Sequence, residues 1–268
     1  LNQKQTKTCP CGKAFDTWTD AALCGDCQQK KRNAQALREL EAALPREVER
    51  QRELWFEVCG PGMGARFVGK TFANFKQALQ SRAFKVMSTW DGETSIVLSS
   101  PDKYGLGKTH LAAALVNKLL ATETAVMLTT AGRYLRCSCP VYFTGEVDLL
   151  ARIRNTFNHQ EDGETEAEVY RQLSNVDLLI IDDVGKLQPR DPAFLQGVYY
   201  RLIDNRYRSE QPIILLTNLS LAELERHIGG ACADRLREMA GKHFVLMQGM
   251  SYRLPVRKET HDAPTLSE

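Results

Sequence analysis

The stretch S-S-P-D-K-Y-G-L-G-K-T-H-L, residues 99–111, decides how the rest of the chain is interpreted. It closes with G-K-T at 107–109, the end of the phosphate-binding pattern G-x-x-x-x-G-K-[ST]. A β-rich run at 96–99 precedes the loop, and a Leu- and Ala-rich run at 109–120 follows it. The loop is therefore predicted to lead from a strand into a helix N-terminus, where backbone N–H groups and the helix dipole attract phosphate.

Residues of this loop have predicted roles in holding ATP and Mg²⁺. Gly105 and Gly107 let the backbone approach the phosphates, because glycine adopts conformations that other residues avoid. Lys108 is expected to reach the β- and γ-phosphates, and the Thr109 hydroxyl to ligate Mg²⁺. The predicted nucleotide-binding residues of the loop are Gly105, Leu106, Gly107, Lys108, Thr109 and His110.

Asp102 occupies the first glycine position of the pattern. A non-glycine residue there needs an allowed backbone conformation and a carboxylate that points to solvent. The positive charge of the next residue, Lys103, can offset the carboxylate. We expect the loop to bind ATP in spite of Asp102.

Two apolar runs farther along the chain end in polar side chains. V-D-L-L-I-I-D-D, residues 176–183, ends in two carboxylates, and P-I-I-L-L-T-N, residues 212–218, ends in an amide. Near-continuous apolar runs are typical of buried parallel strands, and ligands gather at the carboxyl ends of such strands. Asp182 is expected to hold Mg²⁺ through water, Asp183 to orient or deprotonate the attacking water, and Asn218 to contact the γ-phosphate or that water. From position 66 onward strands alternate with helices, which predicts a parallel sheet wrapped by helices.

Four of the eight cysteines lie near the N-terminus, as C-P-C at 9–11 and C-G-D-C at 24–27. Zinc prefers four soft ligands in a tetrahedron, and thiolates from two short turns can supply them. Gly12 and Gly25 follow the pairs, where a tight turn needs permissive dihedral angles. Unligated cysteines in a flexible tail are the alternative, but so short a segment has too small a core to fold alone without metal. The predicted zinc ligands are Cys9, Cys11, Cys24 and Cys27.

A helical arm is predicted to follow the cysteines. Residues 28–56 are rich in good helix formers, and Pro45 is expected to interrupt the helix. A solvated linker and a partner-docking arm remain open as interpretations. G-P-G-M-G, residues 60–64, is predicted to be a hinge.

Composition excludes several classes of protein. The net charge of +2 gives no general sign of nucleic-acid binding, so any such surface has to be local. No apolar run approaches the roughly 18 residues of a membrane span, and the N-terminus lacks a signal peptide's apolar core. We expect a cytoplasmic protein without a membrane partner.

With these motifs the chain resembles the AAA+ ATPases, specifically the DnaC/DnaI helicase loaders and the related IstB transposition helpers. The resemblance is collinear over about 190 residues. The matching stretches are R-F-V-G-K-T-F-A-N-F (66–75), G-L-G-K-T-H-L-A-A-A-L (105–115), L-L-I-I-D-D-V-G (178–185), L-I-D-N-R-Y (202–207), L-L-T-N-L (215–219), A-D-R-L-R-E (233–238) and G-M-S-Y-R (249–253). The resemblance implies an α/β fold with a doubly wound parallel sheet.

The resemblance also implies roles for individual residues. Lys108 and Thr109 would belong to Walker A, Asp182 and Asp183 to Walker B, and Asn218 would be sensor 1. The other implied positions are Arg235 as an arginine finger that reaches a neighbour's ATP, Phe72 and Phe75 as residues facing the adenine, and Arg253 as a weaker candidate for a phosphate contact.

Four segments are predicted on this basis. They are a zinc-binding module at 1–30, a helical arm and linker at 31–64, an AAA+ ATPase domain at 65–254 and a flexible tail at 255–268. Only 50 residues follow Asn218, too few for the helical lid domain of many AAA+ proteins. Between the loop helix and the acidic strand lies a long segment with R-C-S-C-P at 136–140, a departure from the family pattern. Its Cys137 and Cys139 are interpreted as thiols rather than a second metal site.

The function implied is ATP-dependent loading of a replicative DnaB-type helicase onto DNA, by a homo-oligomer joined through Arg235. Residues 147–158 are expected to form a helix that faces single-stranded DNA, with Arg152 and Arg154 off its apolar face; a solvated helix is the alternative. An IstB-like helper acting on duplex DNA is the rival function, and the zinc module favours the loader because DnaI-type loaders carry one. A small-molecule kinase and a nucleotide-gated interaction protein with negligible turnover are further alternatives.

Overall fold

The computed structural model describes residues 4–19, 21–58, 61–123, 125–129, 132–136, 141–157, 163–186, 191–249 and 251–252. Cys59, Cys137, Cys139, Arg253 and the predicted tail at 255–268 lie outside the described residues. The chain divides into two compact units, Leu1–Glu53 with Leu120–Ser138, and Leu54–Leu119 with Cys139–Glu268.

The described residues of both units form strands and helices, which alternate through most of the second unit. The strands, in chain order, are β1 Gln5–Thr8, β2 Ala14–Thr17, β3 Ile96–Ser99, β4 Ala125–Thr129, β5 Gly132–Arg136, β6 Val141–Gly145, β7 Leu178–Val184, β8 Ile213–Thr217 and β9 Phe244–Leu246. The helices are α1 Gly25–Val58, α2 Ser81–Ser88, α3 Lys108–Glu123, α4 Glu146–Asn155, α5 Glu166–Asn175, α6 Pro192–Arg208, α7 Leu221–Ile228 and α8 Gly230–Ala240.

Five strands of the second unit form one parallel sheet in the order β6-β7-β8-β3-β9. All residues of β3 and β8 are buried, as are all but one of β7, which matches the apolar runs that predict them. Helices α4 to α8 contribute to one apolar core with β3, β7 and β8. The predicted α/β fold with a doubly wound parallel sheet is therefore confirmed. In the described part of the chain no helical lid follows β9.

A buried arginine ties together the amino ends of two neighbouring strands. Arg206 of α6 is fully buried, and its guanidinium donates to the carbonyls of Leu173 (2.8 Å), Asp177 (3.1 Å) and Pro212 (2.7 Å). Burial lowers the pKa of Arg206 to about 10, against the influence of the Asp177 charge. Because Asp177 precedes β7 and Pro212 precedes β8, these bonds fix the two strands whose opposite ends carry the predicted acidic pair and Asn218.

The edge strand β6 is covered by the chain just before the predicted ATPase domain. Trp55 is buried and its indole N–H donates to the carbonyl of Val141 at 2.8 Å. A single 3₁₀ turn, Pro61–Met63, lies beside β6, with Met63 buried, where the glycines suggest a hinge. The second compact unit begins at Leu54, ahead of the predicted domain limit at 65.

The first unit contains two antiparallel hairpins and most of the long helix α1. β1 pairs with β2, with Thr6 opposite Asp16, and β4 pairs with β5. The expectation that Pro45 interrupts the arm is wrong, because α1 runs unbroken from Gly25 to Val58 with Pro45 inside it. Proline removes one helical N–H and strains the preceding turn, a cost that the rest of this long helix absorbs. None of the described helices is long and apolar enough to cross a membrane.

Candidate nucleotide site and metal centre

The phosphate-binding loop joins β3 to α3, as the motif requires. Gly105 and Gly107 have φ values of +74° and +92°, the left-handed region that glycine adopts without steric cost. Asp102 also lies in this region, with φ +55°, and its side chain is exposed. Asp is among the few residues that tolerate this conformation, so the loop keeps the turn that the missing glycine normally makes.

A side chain at position 107 would collide with Phe75. A Cβ atom there would lie 2.7 Å from Cε2 of Phe75, closer than side chains approach one another. Phe75 is buried, and its ring contacts His110 at 5.0 Å and Tyr252 at 5.5 Å between centroids. Phe72, the other predicted adenine-facing residue, instead meets Phe84 at 5.6 Å.

The loop lysine meets the predicted sensor amide. The Lys108 ammonium donates to Oδ1 of Asn218 at 2.5 Å and to the hydroxyl of Ser100. Ser100 Oγ is itself 3.0 Å from the same Asn218 oxygen. Asn218 thus lies within reach of whatever the Lys108 ammonium binds. Ser100 directly follows β3 at the start of the loop. Its contact with Lys108 is not predicted by the motif.

The loop threonine meets the first acidic residue. Thr109 Oγ1 donates to Oδ2 of Asp182 at 2.7 Å, so the two predicted Mg²⁺ ligands lie side by side. Burial raises the pKa of Asp182; the Thr109 hydrogen bond lowers it, and the charge of Asp183 raises it. A hydroxyl and a buried carboxylate at this spacing fit the oxygen-rich coordination that Mg²⁺ prefers.

The acidic pair forms a β-bulge. Ile181 pairs with Leu215 and Val184 with Thr217, so that two residues, Asp182 and Asp183, oppose one residue of β8. Asp183 has φ +55°, and a bulge of this kind re-aims a side chain next to a functional site. The Asp183 carboxylate accepts a hydrogen bond from the Lys186 ammonium at 2.6 Å.

These groups line a cavity of about 370 Å³, within the usual size of small-molecule sites. Loop residues 105–110, Phe75, Asn218 and both aspartates contribute to its wall, whereas Phe72 does not. Its ionised side chains are mostly positive, which suits a polyanion such as a triphosphate. The cations are Arg66, Lys70, Lys76, Lys108 and Lys186. Phe67, Tyr104, Lys186 and Tyr252 also line it and are not individually predicted by the motifs.

Arg235 lies on α8, away from this cavity's lining. Its guanidinium forms an ion pair with Asp204 at 3.0 Å and lies over the rings of Tyr200 and Tyr207, 5.3 and 5.8 Å from their centroids. Asp204 is buried and also pairs with Arg208. Arg235 keeps a side-chain exposure of 26%, so its position is fixed from within the chain while part of it faces outward.

The four N-terminal thiols converge. Their sulfur atoms all lie within 4.8 Å of one another, the only such ligand group found among the described residues. Cys11 Sγ and Cys24 Sγ are 3.7 Å apart, close to the roughly 3.8 Å edge of a tetrahedron with Zn–S bonds of about 2.3 Å. The cluster can therefore hold a metal ion. Its members are Cys9, Cys11, Cys24 and Cys27.

Local structure explains why these thiols point inward. Gly12 has φ +85° and donates to the carbonyl of Cys9 at 2.8 Å, which closes the first turn. Gly25, expected to make a similar turn, is instead the first residue of α1, so Cys24 and Cys27 flank a helix N-terminus. Backbone hydrogen bonds from Cys11 and Cys24 lower the pKa of Cys9 to about 6, which favours the thiolate that metals bind.

The segment predicted to face DNA forms helix α4, which ends at Asn155. The spacing of Leu149, Leu150, Ile153 and Phe157 predicts one apolar helical face. Leu149 and Ile153 are buried as predicted, but Phe157 lies beyond the helix and is 51% exposed. The guanidinium of Arg152 is occupied by Glu164, Gln172 and Tyr142. Arg154 is exposed and lies over the ring of Phe194, 4.9 Å from its centroid.

The similarity of this chain to known proteins covers the region that contains these motifs. A family model described as IstB-like ATP binding protein matches residues 71–260. The chain is 29% identical over 173 residues to the replicative helicase loader DnaC of Escherichia coli K12, which covers 65% of this chain and 62% of that protein. It is 29% identical over 158 residues to the phage-like element PBSX protein XkdC of Bacillus subtilis 168, covering 58% and 52% respectively.

The chain thus spans less than two thirds of the length of these curated relatives. A crystal structure of the DnaC helicase loader shares the fold, with a TM-score of 0.50 at 20% identity over 69% of this chain and 98% of that one. These matches confirm the resemblance that the motifs predict.

Proposed function

The chain belongs to the family of IstB-like ATP-binding proteins, and from this membership we propose that it is an ATP-dependent loader of a replicative DnaB-type ring helicase. One observation carries the ATPase part: Lys108 meets Asn218, and Thr109 meets Asp182, at one edge of the sheet. The loader part is supported by the relative in Escherichia coli, which is a replicative helicase loader. A cytoplasmic location is part of the same proposal.

In the proposed reaction the loop N–H groups and Lys108 bind the β- and γ-phosphates, and Asn218 contacts the γ-phosphate or the attacking water. Asp183 takes the proton of that water as its oxygen bonds to the γ-phosphorus and the bond to the bridging oxygen of ADP breaks. Thr109 and Asp182 would hold Mg²⁺, which neutralises phosphate charge when bound. Aspartate is one methylene shorter than glutamate, so we expect the base to stand far from the water and turnover to be slow.

The adenine end of ATP is proposed to lie against Phe75. This ring lines the cavity next to Gly107, with His110 in edge contact. Burial lowers the pKa of His110, which favours the uncharged imidazole near the adenine. Phe72 supports the same cluster from behind through Phe84.

Single-stranded DNA is proposed to bind beside the end of α4. The exposed ring of Phe157 and the free face of Arg154 are suited to base stacking and phosphate contact, whereas Arg152 is engaged within the chain. Arg154→Ala with Phe157→Ala should weaken binding of labelled oligothymidine about tenfold or more. Arg171→Ala, which removes an arginine with 69% side-chain exposure from the next helix, should not.

Assembly of several copies is proposed to bring Arg235 to a neighbour's ATP. The position of its guanidinium, fixed by Asp204 on a side chain that is 26% exposed, supports this role. The helicase is proposed to dock on the zinc-bearing N-terminal module, where Trp18 is 61% exposed.

The second candidate is an IstB-like helper that assembles on duplex DNA, which the family match itself favours. A helicase pull-down followed by a loading assay on closed circular single-stranded DNA separates the two. ATP-dependent helicase capture and loading supports the loader. Failure to bind the helicase, together with ATP-dependent assembly on duplex DNA, supports the helper instead.

A further inference from the structure

A buried carboxylate outside the nucleotide cavity holds the turn that follows the acidic pair. Glu146, the first residue of α4, is 1% exposed. Its Oε2 accepts a hydrogen bond from the Gly185 backbone N–H at 2.9 Å. Its Oε1 accepts from the Tyr199 hydroxyl at 2.7 Å and lies 2.7 Å from Nε2 of His227. No ATPase motif of the chain includes this glutamate.

The turn that Glu146 holds places two residues in the left-handed region of backbone conformation. Asp183 has φ +55°, which aspartate tolerates better than most residues but adopts at a cost of about 1 kcal/mol. Gly185 has φ +79°, and a Cβ atom there would lie 2.3 Å from Cδ1 of Leu219, so glycine is needed at this position. The bulge therefore depends on contacts that offset the cost at Asp183.

Side chains on both sides impose the conformation. From the β8 side, the Thr217 hydroxyl donates to the carbonyl of Val184 at 2.7 Å. From the other side, β6 pairs Gly145 with Asp182, and the next residue, Glu146, binds the N–H of Gly185. The peptide group between Val184 and Gly185, which directly follows the bulge, is thus held at both its carbonyl and its N–H.

We infer that Glu146 is a positioning residue for ATP hydrolysis: by holding the Gly185 N–H it keeps Asp183 turned toward the cavity. The inference rests on the proposed ATPase function. Glu146 does not line the cavity, and its hydrogen-bond partners Gly185, Tyr199 and His227 all lie outside the phosphate loop. Loss of the anchor should therefore lower kcat and leave ATP affinity nearly unchanged.

Two substitutions separate the reach of this side chain from its charge. Glu146→Asp keeps the carboxyl group but is one methylene shorter, so it cannot reach the Gly185 N–H while it still meets Tyr199 and His227. Glu146→Gln loses the charge but keeps an oxygen at the right distance. We expect Glu146→Asp to lower kcat about tenfold or more with ATP Kd within about threefold, and Glu146→Gln to recover most of that loss.

Tyr199→Phe is the matched control, because it removes a hydrogen bond from the same buried carboxylate without touching the Gly185 anchor. It should lower the melting temperature and change kcat by less than about twofold. Turnover by single-turnover phosphate release, ATP Kd by titration of a fluorescent analogue, and melting by circular dichroism are measured for all variants.

Hydrogen exchange of the backbone tests the inference in the wild-type protein, so this test does not depend on whether a variant folds. In wild-type protein the Gly185 amide should exchange with deuterium slowly, as a buried, bonded N–H does. A fast-exchanging Gly185 amide, or the opposite order of the Asp and Gln variants, overturns the inference. Wild-type turnover that Glu146→Asp leaves intact overturns the inference alone, whereas a wild type without turnover removes the ATPase proposal as well.

Discussion

The cavity at the edge of the sheet joins residues as distant in sequence as Lys108 and Asn218, whereas the four-cysteine cluster joins residues of one short stretch, 9–27, and the two sites are supported differently. Asp182 and Asn218 lie at the carboxyl ends of β7 and β8, and Lys108 begins the helix that follows β3 through the phosphate loop; the residues of these three strands are almost all buried. The thiols instead lie in the turn of a hairpin whose strands are mostly exposed and at the N-terminus of α1. We therefore expect the sheet edge to have its shape before any ligand binds, and the cysteine cluster to depend on bound metal for its stability.

The largest expected effect is loss of the metal. Cys24→Ser with Cys27→Ser should abolish zinc binding, which we expect at one zinc per chain, and unfold the hairpin while nucleotide binding persists. Cys232→Ala is the control, because this buried cysteine lies outside the cluster. Metal analysis and circular dichroism give the result. Freshly purified protein without zinc would show that the thiols do not bind it.

The second prediction tests the other half of the comparison. Lys108→Ala should abolish ATP binding at millimolar ATP with Mg²⁺ and leave the zinc content unchanged, because the ammonium is the main charge facing the phosphates. Lys103→Ala removes an exposed lysine of the same loop and should change ATP Kd less than about threefold. Titration of a labelled nucleotide measures both. Equal losses in the two variants would contradict a specific phosphate contact.

The third prediction is that ATP hydrolysis needs Arg235 from a neighbouring copy of the chain. Wild-type ATPase activity should be low, rise with protein concentration and be stimulated by single-stranded DNA. Arg235→Ala should remove the stimulation and leave ATP affinity nearly unchanged, because a finger supplied by a neighbour stabilises only transition-state charge. Arg208→Ala also takes one cation from Asp204 and should keep the stimulation.

Mixing provides the control for that site. Arg235→Ala protein mixed with Lys108→Ala protein should recover part of the turnover, because each supplies what the other lacks at a shared interface. Fast, concentration-independent hydrolysis by a monomer would contradict the shared site.

The sequence predicts most of the sheet and the cavity because both follow from local patterns. Apolar runs define β7 and β8, and parallel strands bring their carboxyl ends to one edge, so Asp182 and Asn218 are placed by topology alone. The unbroken course of α1 through Pro45 does not follow from propensity, which treats proline as a helix end.

Contacts between distant segments are the part that patterns do not predict. Ser100 near Asn218, Asp204 with Arg235, and Glu146 with Gly185 each join residues from different elements. In a single sequence these residues are ordinary polar positions. Only the three-dimensional structure shows which of these polar residues contact one another.

The smallest expected effect concerns Asp102, whose exposed carboxylate stands in the left-handed conformation at the loop entrance. Asp102→Gly should relieve about 1 kcal/mol of backbone strain, largely offset by the greater freedom of glycine in the unfolded chain, so the free energy of unfolding should change little. ATP should bind up to about threefold more tightly, because a negative charge near the phosphates is lost.

Asp102→Asn separates the two causes, since asparagine tolerates the left-handed conformation but carries no charge. If charge governs affinity, the Asn and Gly variants should bind ATP alike, and their advantage should shrink at high salt, which screens an exposed carboxylate. Asp102→Ala removes the charge but strains the backbone, so it should lower the melting temperature. ATP titrations at two salt concentrations measure this. If the Ala variant has the wild-type melting temperature and the Asn variant has the wild-type ATP affinity, then neither the charge nor the backbone conformation of residue 102 matters to the loop.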